Sequence, residues 1–180
     1  DTLYFHIVPD AVGRSIAFES GMVDAIRAGD VENFEIARLA AAPGVSLSKA
    51  GWEFLQPVGF LNMNLRNKPI GDLRFRQAVA HAIDRQFIIK NIFSTFGNPV
   101  NGPFPPGYVF HDAGVETTYP YDPARAKALL DEMGLKPDAD GTRVSLRLLP
   151  LPYGETWQRL AEYTRERLNT VGIKTTIVAT

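Results

Sequence analysis

The sequence predicts an α/β fold, a mixed β-sheet flanked by helices, and three stretches carry that reading. Residues 144–149 alternate as a strand, residues 155–171 are amphipathic at helical spacing, and residues 173–178 are strand-like again after Gly172. A strand, helix, strand succession of this length makes two parallel neighbours joined by a right-handed crossover. Residues 69–96 hold the longest helical pattern of the chain, and residues 58–65 alternate as a central strand. One hundred and eighty residues, 45% hydrophobic and 22% charged, suit a single domain spanning 1–180 with a substantial core. A net charge of −1 gives no electrostatic reason to expect nucleic acid. No apolar run approaches the roughly 20 residues of a membrane span. The absence of cysteine excludes disulfides, thiol catalysis and thiolate metal sites.

Taken in order, residues 3–8 are aromatic and β-branched and read as a strand ended by Pro9. Asp10 is placed as the N-cap of a helix over residues 11–28, with Gly29 as its C-terminal cap; Arg14, Ser20 and Asp24 read as surface polarity and helix punctuation. Residues 32–41 form a short amphipathic helix stopped by Pro43-Gly44, and residues 45–48 a brief strand. Another extended stretch starts at residues 52–55. In the strand at 58–65, Phe60, Asn62 and Asn64 share one face and Leu61, Met63 and Leu65 the other. Asn62 and Asn64 either bond a ligand or satisfy loop backbone at the strand's end.

The long pattern divides in two. Asp72 caps a helix whose stripe is Phe75, Ala78, Val79, Ala82 and Ile83. The phase then slips at Asp84, and Ile88, Ile89, Ile92 and Phe93 form a stripe on a rotated face, so two consecutive helices are expected, the second capped by Asp84. Residues 97–108 contain four prolines and three glycines and cannot be regular structure. Their stiffness suits a rigid wall, with Phe104 and Tyr108 either facing a cleft or covering the core edge. Residues 111–119 read as irregular. Asp122 at N-cap and Pro123 at the first helical position open a helix with Ala126, Leu129, Leu130 and Met133 inward and Gly134 at its end. Asp138, Asp140 and Gly141 invite a calcium reading, but no glutamate stands where an EF-hand loop needs its bidentate ligand. In the closing unit, the loop after the first strand is where sheets of this kind bind ligands, which singles out Tyr153, Thr156 and Trp157, with Trp157 either facing a ligand or simply filling the core.

Four segments carry a resemblance. They are P-D-A-x-x-R-x-x-A-x-x-S-G-x-V-D-A at residues 9–25 and P-I-x-D-x-R-x-R-Q-A-x-x-x-A-I-D-R-x-x-I in residues 59–89. G-x-P-x-x-G-P-x-P-P at 97–107 and Y-D-P-x-x-A-K-x-L-L-x-E-x-G at 121–134 follow in order, before the closing unit. Together they resemble the family 5 extracellular solute-binding proteins, the peptide-, dipeptide- and nickel-binding receptors of bacterial ABC importers. The resemblance implies one lobe of a type II periplasmic-binding-protein-like fold. It implies most of the second lobe of a two-lobed receptor, an excised fragment whose next contact segment lies beyond Thr180. It further implies that the proline-rich loop and the strand-to-helix corner face an interlobe cleft. The expected ligand-binding residues are therefore Asn62, Asn64, Phe104, Tyr108, Tyr153, Thr156 and Trp157.

The implied function is capture of a peptide or similar small solute in the cleft and its delivery for import. The implied partners are the solute, the other lobe of the same chain and an ABC permease in the membrane; no nucleic acid and no cofactor are implied, and the protein is expected to be a monomer. The implied location is periplasmic or extracellular, soluble or lipid-anchored. The opposing reading is a small α/β enzyme domain using His81 or His111. No metalloprotease, nucleophile-elbow, Walker or dinucleotide motif accompanies the three histidines.

Overall fold

A computed structural model describes residues 2–27, 29–50 and 58–178. Its elements are α1 (Ala11–Glu19), α2 (Asn33–Ala40), α3 (Leu73–Ala82), α4 (Arg85–Phe87), α5 (Pro123–Glu132), β1 (Val144–Leu148), α6 (Glu155–Thr170) and β2 (Ile173–Ile177). A π-helical turn, Ile88–Ile92, extends α4, and a 3-10 turn, Ala113–Thr117, lies within the stretch read as irregular.

The core forms where α3 meets α5. Phe75, Ala78, Val79 and Ala82 lie on one face of α3 and pack on Ala126, Leu129 and Leu130 of α5, with Leu168, Val171 and Ile173 closing the cluster. Three alanines at the crossing let the helix backbones approach, while Phe75 and Leu130 are the two largest fully buried side chains. Met63, Ile70, Val144 and Leu146 pack around this centre.

The aspartate N-caps expected from the sequence are present. Asp72 accepts from the Arg74 amide at 2.9 Å, Asp84 from the Phe87 amide at 3.0 Å, and Asp122 from the Arg125 amide at 2.9 Å. The break at Asp84 is a true junction, since Ile83 and Asp84 are both extended. The arginines of R-x-R-Q-A are structural. Arg74 pairs with Asp72 at 2.7 Å, holding that carboxyl below its usual range, and reaches the Glu132 carbonyl at the end of α5. Arg76 donates to the carbonyls of Ile70 and Gly71 and so pins the turn before α3.

The closing unit is the expected one. β1 and β2 are parallel, with Val144 opposite Ile173 and Leu148 opposite Ile177, and α6 crosses between them. Gly172 has φ +88° and stands against the Arg143 side chain, leaving no room for a Cβ. The Arg143 side chain is only 8% exposed and bonds Asp131 at 2.8 Å and the Leu135 carbonyl at 2.6 Å.

The N-terminal third departs from expectation. Residues 3–8, 45–48 and 58–65 follow no strand ladder; β1 and β2 are the paired strands among the described residues. A strand is held by its neighbour, and these segments have none there. The stretch at 52–55 lies outside the described residues. Helix α1 ends at Glu19 rather than reaching residue 28, because Gly21 at φ +74° lets the Met22 and Val23 amides turn back onto the Ala17 carbonyl. Gly29 (φ +90°) belongs to a later turn, in which the Asp30 amide bonds the Arg27 carbonyl. Arg14 is not mere surface polarity. It donates to the carbonyls of Val8, Pro9 and Asp30, tying the start of the chain to the segment before α2.

Candidate functional site

The strand-to-helix corner after β1 is built from a proline-bounded loop, residues 150–154, and the first turn of α6. Gly154 occupies the N-cap position with φ +96° and offers no side chain to the orphan amides of the helix. The carboxylate of Glu32, at the start of α2, fills that role. Its oxygens accept from the Glu155 amide at 3.0 Å, the Thr156 amide at 3.2 Å and the Thr156 hydroxyl at 2.9 Å. Thr156 is accordingly buried, with its hydroxyl hydrogen committed to Glu32.

Trp157, half-buried, meets Phe93 edge-on at 5.8 Å between ring centroids. Gly59 passes beneath its ring, close enough that a Cβ there would sit 4.0 Å from Cη2. Trp157 thereby joins three parts of the chain: α6, the end of the helix pair, and the segment leading to Asn62. Tyr153 stands out of the surface at 73% exposure. An open groove of about 610 Å³ beside the corner is lined by Pro150, Leu151, Pro152, Gly154, Gln158, Arg165 and Ile177. Asn62 and Asn64 are exposed, and the Asn64 side chain accepts from the Arg66 amide at 3.1 Å. That bond is the backbone-satisfying role considered for it.

The proline-rich loop is tied to the 3-10 turn that follows it. Asn101 donates its amide to the Glu116 carboxylate at 3.0 Å and its side chain to the Glu116 carbonyl. Gly102 lies against Val115, where a Cβ would come within 2.9 Å of a methyl group. The Phe104 carbonyl accepts from His111 Nδ1 at 2.9 Å, and its ring packs at 5.5 Å from Phe110. Phe104 and Tyr108 remain about two-fifths exposed. The seven expected residues thus occupy two supported pieces and one exposed segment.

The histidines of the catalytic alternative are fasteners. His81 Nδ1 bonds the Pro120 carbonyl at 2.8 Å, its ring meets Tyr119 edge-on, and its own carbonyl accepts from the Asp122 amide. This joins the end of α3 to the start of α5. His111 braces the proline-rich loop, 3.9 Å from Glu116. Asp138 spends an oxygen on the Asp140 and Thr142 amides of its own turn. Beside the helix junction, Phe87 stacks flat on Tyr163 at 4.7 Å; burial first, and then the Asp84 charge, push the Tyr163 hydroxyl up to about 12.

Glu32, Gln158 and Arg165 were not singled out from the sequence. In the sequence Glu32 reads only as the start of a short amphipathic helix, and its target lies 123 residues away.

Comparison with known proteins accords with this architecture. The dipeptide-binding protein of Escherichia coli (strain K12) is 31% identical over 180 residues, covering 99% of this chain and 32% of its own. The structure of the periplasmic binding protein DppA from Helicobacter pylori, in complex with the peptide STSA, superposes with a TM-score of 0.78 at 21% identity, over 96% of this chain and 31% of that one. NikA from Brucella suis, in complex with Fe(III)-EDTA, gives 0.75 at 22% identity, over 96% and 36%. The chain therefore spans about a third of the length of the curated relative it matches. Residues 1–180 match the family described as bacterial extracellular solute-binding proteins, family 5 Middle, and the chain belongs to that family.

Proposed function

We propose that the chain is most of one lobe, the second, of a two-lobed receptor that traps a peptide or similar small solute in an interlobe cleft and passes it to an ABC permease. The observation that carries this is the family match along all 180 residues, supported by the backbone likeness to two ligand-bound binding proteins. The Tyr153–Trp157 corner, the Phe104–Tyr108 loop and the exposed Asn62 and Asn64 form this lobe's share of the wall. Exposed aromatics on rigid supports suit such a wall, because they offer large contact area at little entropic cost. The intact receptor acts outside the cytoplasm as a monomer, and capture ends in hinge closure. Its role in this reading is binding rather than catalysis; the matched relatives are binding proteins, and Nδ1 of His81 and of His111 each holds a backbone carbonyl.

The test is thermal unfolding of the full-length receptor against dipeptides, longer peptides and chelated metals, with product analysis on the same mixtures. A ligand that binds only the folded state raises the melting temperature in a concentration-dependent way. The expected outcome is such a rise with one solute class and unchanged solute at the end. Turnover of any of them, lost in His81→Ala or His111→Ala, would overturn the reading.

A further inference from the structure

The bond between Glu32 and the α6 corner joins elements far apart in sequence at the place where a wall residue, Trp157, is set. It is not isolated. Val31 beside it is buried, and the Arg159 guanidinium, one helical turn into α6, lies 4.8 Å over the Phe34 ring of α2. The corner leaves no slack, since Gly154 meets Glu32 so closely that a Cβ would come within 2.8 Å of its oxygen.

A carboxylate on the first amides of a helix is favoured by both the orphan donors and the axial dipole. Here it also fixes direction. Three hydrogen bonds donated to one carboxylate determine how the first turn of α6 is rotated, and Trp157 is the next residue along that turn. We propose that Glu32 is a positioning residue for the candidate site: its carboxylate sets the orientation of the β1–α6 corner and so holds Trp157 against Phe93 and the segment at Gly59. Because Glu32 fills these amides, the α6 N-terminus is not open to an acidic group of the solute, and the corner offers the solute an aromatic and apolar face. The consequence for solute binding rests on the receptor reading; the positioning role does not.

The experiment uses the full-length chain with Trp52→Phe, so that Trp157 reports alone among the two tryptophans of residues 1–180 (any tryptophan elsewhere being replaced likewise). Glu32→Ala is expected to lower the melting temperature and shift the Trp157 emission maximum. Sodium acetate, whose carboxylate fits the vacated amides, restores both, whereas sodium chloride at equal ionic strength does not, and Glu32→Asp lies between. For a solute found to bind, Glu32→Ala loses about tenfold in affinity, the equivalent of one misplaced polar contact. An unchanged emission maximum in folded Glu32→Ala, or equal recovery in chloride, overturns the proposal. If Glu32→Ala does not fold, Thr156→Val removes one of the three bonds and must move the emission in the direction seen with Glu32→Asp; no movement overturns it equally. The acetate readout needs no solute, so a chain that passes it yet binds none of the peptides or chelates counts against the receptor and leaves Glu32 in place.

Discussion

The two ends of this chain hold themselves in different ways. From Asp72 to Ile177, most elements carry their own stop and start signals and pack on one centre, with Phe75, Leu130 and Ile173 fully buried. In the N-terminal segment, Phe5 is 86% and Ile7 93% exposed, although their sequence is the more strand-like of the two. Arg14, spanning three carbonyls, does there what a buried cluster does elsewhere. Helices close their hydrogen bonds within themselves and need only a stripe and a cap, whereas a strand needs a neighbour.

The strongest way to break that contrast is at the α3–α5 crossing. Phe75→Ala leaves a cavity at a helix crossing where Ala78, Ala82 and Ala126 are too small to fill it. The expected loss is about 3–5 kcal/mol by urea unfolding, comparable with the whole stability of many domains. A loss under about 1 kcal/mol would mean that the crossing is not the centre of the fold.

A smaller effect is expected at the junction of the helix pair. Asp84→Ala removes the acceptor of the Phe87 amide and should cost about 0.5–2 kcal/mol. It should also loosen the Phe87–Tyr163 stack, which sits on the same turn, so the absorbance titration of Tyr163 moves down from about 12 towards an ordinary phenol. Stability lost without that movement would confine Asp84 to capping.

What could be read from the sequence follows the same division. Asp72, Asp84 and Asp122 were legible as caps because capping is decided within three residues, and the β1–α6–β2 unit because its period changes from two to that of a helix and back. The alternation at 58–65 was real as a pattern and wrong as a strand among the described residues. On the face expected to carry Leu61, Met63 and Leu65, Met63 is half-buried against the core, while Leu61 and Leu65 are exposed. Within the candidate site, Trp157 could be placed at the corner from its position after a strand, but its orienting partner could not. Glu32 and Thr156 are brought together by tertiary packing, to which neither periodicity nor propensity refers. The proline-rich loop was recognised as rigid, while the Asn101–Glu116 and His111–Phe104 bonds that make it so link positions with no local signature.

The smallest expected effect tests the other side of the contrast. Phe5→Ser replaces a large aromatic by a polar residue, which in a buried strand would remove several kilocalories of apolar contact per mole. With 86% of Phe5 already in water, little transfer energy is available to lose. Its neighbours Leu3 and Ile7 are equally free, so no packed layer is disturbed. In the chain of residues 1–180, Phe5→Ser should therefore leave the urea midpoint within about 0.5 kcal/mol of its starting value. A loss near that of Phe75→Ala would show that residues 3–8 are covered in solution, and the N-terminal segment would then have to be held by apolar packing as well as by Arg14.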